Sequence, residues 1–172
     1  MKNKRLLLIT LMLIASVSLF AATSFPSFVG TDLSGNPVDD SIFKGKVTVV
    51  NFWFSTCPPC IAELSELDKL NKELQAKGGM VIGINVDTLD DNEKMIEKAK
   101  SILKTKGATY RNITFPSSTE AGKFVRTIMA YPTTYVVDKN GNIVGSPIVG
   151  GITSRSLKRR LLETIDKAYA MN

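Results

Sequence analysis

Asn51-Phe52-Trp53-Phe54-Ser55-Thr56-Cys57-Pro58-Pro59-Cys60 decides the fold of this 172-residue chain. Ahead of the cysteines, residues 47–54 form a near-continuous apolar, β-branched and aromatic run, the pattern of a buried strand. Behind them Ile61, Leu64, Leu67, Leu70 and Leu74 recur at spacings of three and four, one face of an amphipathic helix. The chain's only two cysteines therefore sit where a central strand passes into a helix.

That position has chemical consequences. N–H groups in the first turn of a helix have no partner within it, so Pro58 and Pro59 remove donors the helix does not use and preset its φ. Cys57 falls at the N-cap, where the positive end of the helix dipole favours the nucleophilic thiolate. Cys60 follows one turn later on the same side, close enough for a disulfide. These residues predict Cys57 as attacking thiol, Cys60 as resolving thiol, and Cys57–Cys60 as a redox-active disulfide. A purely structural disulfide is the other reading, although so short a loop removes little chain entropy. With no histidine and no third cysteine, a zinc or copper site lacks ligands, and no metal is expected.

The first 24 residues read as a separate segment. Lys2, Lys4 and Arg5 precede an apolar run over residues 6–20, broken only by Thr10, Ser16 and Ser18. This is the basic and hydrophobic layout of a secretory signal. Ala22-Thr23-Ser24 offers a small-x-small cleavage site, while extension through Ala21 and Ala22 approaches the roughly 20 residues of a spanning helix. A cleaved signal and an uncleaved N-terminal membrane anchor both fit. Either exports the rest of the chain to a compartment where disulfides persist, the periplasm or the outer face of the cytoplasmic membrane. Membrane contact is expected only through this segment, if uncleaved.

Residues 25–172 then make one domain with room for a core. Without the three n-region cations the formal charge of +6 becomes +3, a mild excess. Lys158-Arg159-Arg160 has no aromatic interleaving and reads as a solvated helix face, so no nucleic-acid partner is expected.

Along the chain, Gly35-Asn36 predicts a turn between two short strands, an N-terminal β-hairpin extension. Gly78-Gly79 ends the first helix, and residues 80–86 form a second buried strand. Asp90-Asp91 is expected to cap a helix with Met95, Ile96, Ala99, Ile102 and Leu103 on its apolar side. A short helix over 121–129 leads into a strand through residue 138. A hairpin turn at 139–142 and a return strand follow, with Pro147 marking an edge or a break. The last helix spans 154–170, with Leu157, Leu161, Leu162 and Ile165 inward. The strand–helix–strand crossover requires parallel strands, and the hairpin adds antiparallel ones. The prediction is an α/β domain with a mixed central sheet and helices on both faces.

The pattern Asn51-Phe52-Trp53 with Cys57-x-Pro59-Cys60, then Gly83-Ile84-Asn85-Val86, then Tyr131-Pro132-Thr133-Thr134-x-Val136-Val137-Asp138-x-x-Gly141, resembles the thioredoxin superfamily. Within it the chain is most similar to the exported TlpA/ResA-like branch of thiol-disulfide oxidoreductases. The resemblance implies a thioredoxin fold, disulfide reduction without a diffusible cofactor, and a monomer. It implies a cis Pro132 opposite the disulfide, with Tyr131, Pro132, Thr133 and Trp53 at the substrate-binding surface. It also implies that Glu63, three residues after Cys60, exchanges a proton with it. A first-turn glutamate stabilised by the helix dipole is the other reading of Glu63.

The partners implied are disulfide-bearing exported proteins and a membrane thiol electron donor. Apocytochrome c is the branch's best-known client, and copper-site assembly factors are others. One departure stands out: Thr56 replaces the tryptophan that most of the branch carries immediately before the first cysteine. Three alternatives use the same fold. A disulfide-introducing oxidase needs a strongly depressed thiolate pKa. A peroxiredoxin needs Thr or Ser where Phe54 stands. A non-catalytic assembly or binding module would use the groove around Tyr131-Pro132 without turnover.

Overall fold

The computed structural model of the protein describes residues 23–171. Residues 1–22, on which the expectation of a signal or anchor rests, lie outside the described residues.

The described chain contains seven strands, β1 (Val29–Asp32), β2 (Pro37–Asp39), β3 (Thr48–Trp53), β4 (Met80–Asn85), β5 (Arg111–Thr114), β6 (Thr133–Val137) and β7 (Ile143–Val149). Its α-helices are α1 (Pro58–Gln75), α2 (Glu93–Thr105), α3 (Glu120–Val125) and α4 (Arg155–Ala170). All seven strands join one mixed sheet in the order β2-β1-β5-β4-β3-β6-β7. β3 pairs in parallel with β4 and antiparallel with β6, so every one of its residues is buried.

Alternation along β3 divides the core in two. Val49 and Trp53 point to the layer packed with α1, α2 and α4. Val50 and Phe52 point to the other, which holds Phe25, Phe28, Phe43 and α3. The fold is the expected thioredoxin fold, with helices on both faces and the N-terminal hairpin added at one edge through β1 and β5. The same alternation puts Asn51, a polar residue in an apolar strand, on the α1 side between its neighbours Gly83 and Thr134. Gly83 is required there, since a Cβ would run into the amide of Asn112.

Several local expectations change. β5 has no apolar run to announce it, because Ile113 stands alone among Arg111, Asn112 and Thr114. Asn112 and Thr114 are buried only because tertiary partners take up their polar groups. The cap of α2 is Asn92, whose Oδ1 accepts from Met95 N–H, and not the Asp90-Asp91 pair. Those two aspartates adopt φ of 60° and 54°, and Asp90 accepts instead from Ser117 N–H. α3 stops at Val125, four residues short of the expected end. Leu162 faces solvent at 39% exposure, since α4 packs through Leu161, Ile165 and Ala168. Pro147 lies within β7, an edge strand, as its missing donor requires.

Candidate active site

Cys57 is the N-cap of α1, with φ −96° and ψ 101°, and its Sγ accepts from Cys60 N–H at 3.3 Å. The two cysteines are joined as a disulfide with their Cα atoms 5.2 Å apart. Cys60 is wholly buried, and Cys57 is only 3% exposed. Thr56, Pro58 and Pro59 form the exposed rim.

The turn before Cys57 is tied to the end of β4. Ser55 N–H donates to Asp87 Oδ2 at 2.8 Å, and Asn85 Nδ2 donates to Ser55 Oγ at 2.9 Å. Asn85 Oδ1 accepts from Asp87 N–H, closing the group. A loop that lacks regular pairing is thereby fixed by side chains, which holds Cys57 at the head of the helix.

Glu63 stands three residues after Cys60, in the second turn of α1, with no solvent exposure. Its Oε1 accepts from Asn51 Nδ2 at 2.9 Å and its Oε2 from Ile152 N–H at 2.7 Å. Burial pushes its carboxyl up from an ordinary 4.5 to about 7, against the opposing pull of the Ile152 and Asn51 donors. Glu63 is thus a buried, hydrogen-bonded carboxyl in the second turn of α1. The buried phenol of Tyr110 is raised well above its ordinary value, first by burial and then by the charges of Glu63 and Asp68.

The Tyr131–Pro132 peptide bond is cis, the geometry that the resemblance implied. The Pro132 carbonyl accepts from Gly150 N–H at 2.8 Å, and Tyr131 packs edge-on against Phe54 with ring centres 5.4 Å apart. Among the described residues the N–H and carbonyl of Tyr131 enter no backbone hydrogen bond. Tyr131 is half-buried, and its phenol is raised by burial first and by the Asp87 charge second.

Two expected substrate contacts are corrected. Trp53 has no solvent exposure, and its Nε1 donates to Asn112 Oδ1 at 2.9 Å, so it supports the site from within the sheet layer. Thr133 is 3% exposed and turns its hydroxyl to the Ala130 carbonyl. Both face inward because the pleat sends them there. The sequence reading missed Asn51, Asn85 and Asp87 as members of the site, although an asparagine in the middle of an otherwise apolar strand is a usable signal. It also missed the exposed apolar side chains of Met129, at 93%, and Val149, at 51%.

The sequence matches the model of the AhpC/TSA family over residues 21–146. It is 31% identical over 141 residues to the thiol-disulfide oxidoreductase ResA of Geobacillus kaustophilus (strain HTA426), covering 79% of this chain and 73% of that protein. It is 30% identical over 139 residues to the thioredoxin-like protein YneN of Bacillus subtilis (strain 168), covering 79% and 75%. The fold is similar to the crystal structure of a thiol:disulfide interchange protein of the thioredoxin family from Chlorobium tepidum TLS. That match has a TM-score of 0.63 and 26% identity, over 84% of this chain and 97% of the other.

Proposed function

This chain belongs to the AhpC/TSA family and is a thiol-disulfide oxidoreductase, and from that premise we propose that it reduces disulfides of particular exported proteins outside the cytoplasm. The observation that carries the reading is a buried carboxyl, Glu63, held by two hydrogen bonds one helical turn beyond the inner cysteine of a closed disulfide.

In the reduced protein, the Cys57 thiolate attacks one sulfur of a substrate disulfide. The substrate S–S bond breaks, a Cys57–substrate disulfide forms, and the departing substrate sulfur takes up a proton. Cys60 then gives its proton to the Glu63 carboxylate and attacks Cys57 Sγ as a thiolate. The Cys57–Cys60 bond forms, and the second substrate sulfur leaves and is protonated. The substrate gains two electrons from the cysteine pair; one of its two protons comes from water, because Cys57 enters as a thiolate, and the other balances the Cys60 proton that Glu63 takes up and returns. A membrane thiol donor restores the reduced pair, and no diffusible cofactor takes part. The unbonded N–H and carbonyl of Tyr131, beside Pro132, are an edge on which an extended substrate segment can pair. The N-terminal segment exports the chain as a cleaved signal or holds it at the membrane. Apocytochrome c, with cysteines that must be reduced before haem attachment, is a client of the fitting kind.

The reduction potential of the Cys57–Cys60 couple tests the direction of electron flow. Equilibration with glutathione and dithiothreitol mixtures should give a value below about −220 mV. A value near about −120 mV would make the protein a disulfide donor instead.

A further inference from the structure

The Glu63 carboxyl is met by donors alone. Ile152 N–H approaches Oε2, and an Asn51 N–H approaches Oε1. An ionised carboxyl only accepts, so this cage fits the anion. A protonated carboxyl must also donate, and neither partner, oriented this way, can accept from it.

Asn51 carries the means to change that. It has no solvent exposure, its Nδ2 also lies 3.0 Å from Thr134 Oγ1, and its Oδ1 is buried with no hydrogen-bond partner. One end of the amide therefore faces two oxygens, and the other end faces no polar partner. The two ends of an amide are alike in shape and opposite in role. Turned end for end, Asn51 would set Oδ1 between Glu63 and Thr134, accepting from a carboxyl O–H and from the rotatable Thr134 hydroxyl. The turned amide leaves two N–H groups, and not one oxygen, without partners, so it is adopted only when a proton on Glu63 demands an acceptor.

We propose that Asn51 and Thr134 are positioning residues for Glu63, the Asn51 amide offering N–H to the carboxylate and, turned over, its oxygen to the carboxyl. This rests on the assignment of Glu63 to proton exchange with Cys60. When the Cys60 S–H bond breaks and an O–H bond forms on Glu63, the new proton needs a buried acceptor, and the pair supplies it without opening the site to water. Among titratable groups, Tyr110 ahead of β5 interacts with Glu63, and along α1 Cys57 and Cys60 precede it and Glu66 and Asp68 follow it. β3, β6 and the loop over residues 150–153 bring no charge to it, and α4 turns Lys158 to Glu66.

The test is the titration of the Glu63 carboxyl, followed by its carbon-13 NMR shift in the full chain. It is paired with the pH profile of mixed-disulfide resolution. Asn51→Ala should raise the Glu63 midpoint by up to about one unit, because the carboxylate loses a charged hydrogen bond while the carboxyl loses only the acceptor of the less favourable turned amide. The acid limb of the resolution profile should move by the same amount. Thr134→Val should shift both in the same direction by less, and Thr134→Ser, which keeps the hydroxyl, should restore the wild-type values. A Glu63 midpoint that Asn51→Ala leaves in place would overturn the proposal, as would identical behaviour of Thr134→Val and Thr134→Ser. If Asn51→Ala does not fold, the two threonine variants decide alone. If Glu63→Gln leaves resolution untouched while Asn51→Ala moves the carboxyl titration, the proton role of Glu63 falls and the positioning pair stands.

Discussion

Ile152 donates its backbone N–H to Glu63 Oε2 at 2.7 Å, which fastens the loop before α4 to the second turn of α1. The same loop sends Gly150 N–H to the Pro132 carbonyl at 2.8 Å. One short segment thus contacts both the buried Glu63 carboxyl and the proline next to the open backbone of Tyr131. Three residues of loop, Gly150 to Ile152, therefore link the Glu63 carboxyl to the Tyr131–Pro132 edge without crossing the sheet.

The raised proton affinity of Glu63 makes stability depend on pH with a defined sign. Between its ordinary 4.5 and its folded value of about 7 the folded protein binds a proton that the unfolded chain does not. Stability should therefore fall as pH rises through that window and level off above it. In the wild type the fall across the window is on the order of 1–3 kcal/mol, and Glu63→Gln, which has no proton to lose there, should remove it. Urea unfolding of both proteins across that pH range checks this, and parallel curves would contradict it.

The kinetic counterpart concerns the second chemical step. If Glu63 takes the Cys60 proton, resolution of the mixed disulfide should accelerate as pH rises through about 7. Glu63→Gln should slow that step by about 10²-fold or more while sparing formation of the mixed disulfide. Stopped-flow measurement of both steps separates the two, and equal effects on both would remove the base role.

Trp53 should prove structural. Trp53→Phe keeps most of the ring packing but leaves Asn112 Oδ1 buried without the Nε1 donor. The expected loss is about 1–3 kcal/mol of stability, read as a lower urea midpoint. The rate of mixed-disulfide formation by the folded variant should hold. A large fall in that rate at unchanged stability would return Trp53 to the substrate surface.

Gly83→Ala should cost more. A Cβ at this β4 position would strike the Asn112 amide, which lies between Trp53 Nε1 and the Tyr110 carbonyl. Overpacking there is expected to cost about 1–3 kcal/mol, with loss of the Trp53 hydrogen bond added. Near-wild-type thermal unfolding would show that the layer yields more readily than its packing indicates.

Position in the chain determined a good deal of this protein. The apolar run before Cys57 and the three-and-four spacing after Cys60 suffice for a buried strand entering a helix, because both periods are local. The same locality put Cys57 at an N-cap and both hairpin turns at their glycines. It failed where burial of polar groups depends on distant partners. β5 is a strand because Trp53 and Thr88 satisfy Asn112 and Thr114, residues far away in sequence. The inward turn of Trp53 and Thr133, the closure of Asn51 over Glu63 and the Ile152 donor were decided by tertiary structure alone. A carboxyl 89 residues from its backbone donor has no local signature, and only the packed core removes the water that would otherwise hold it ionised.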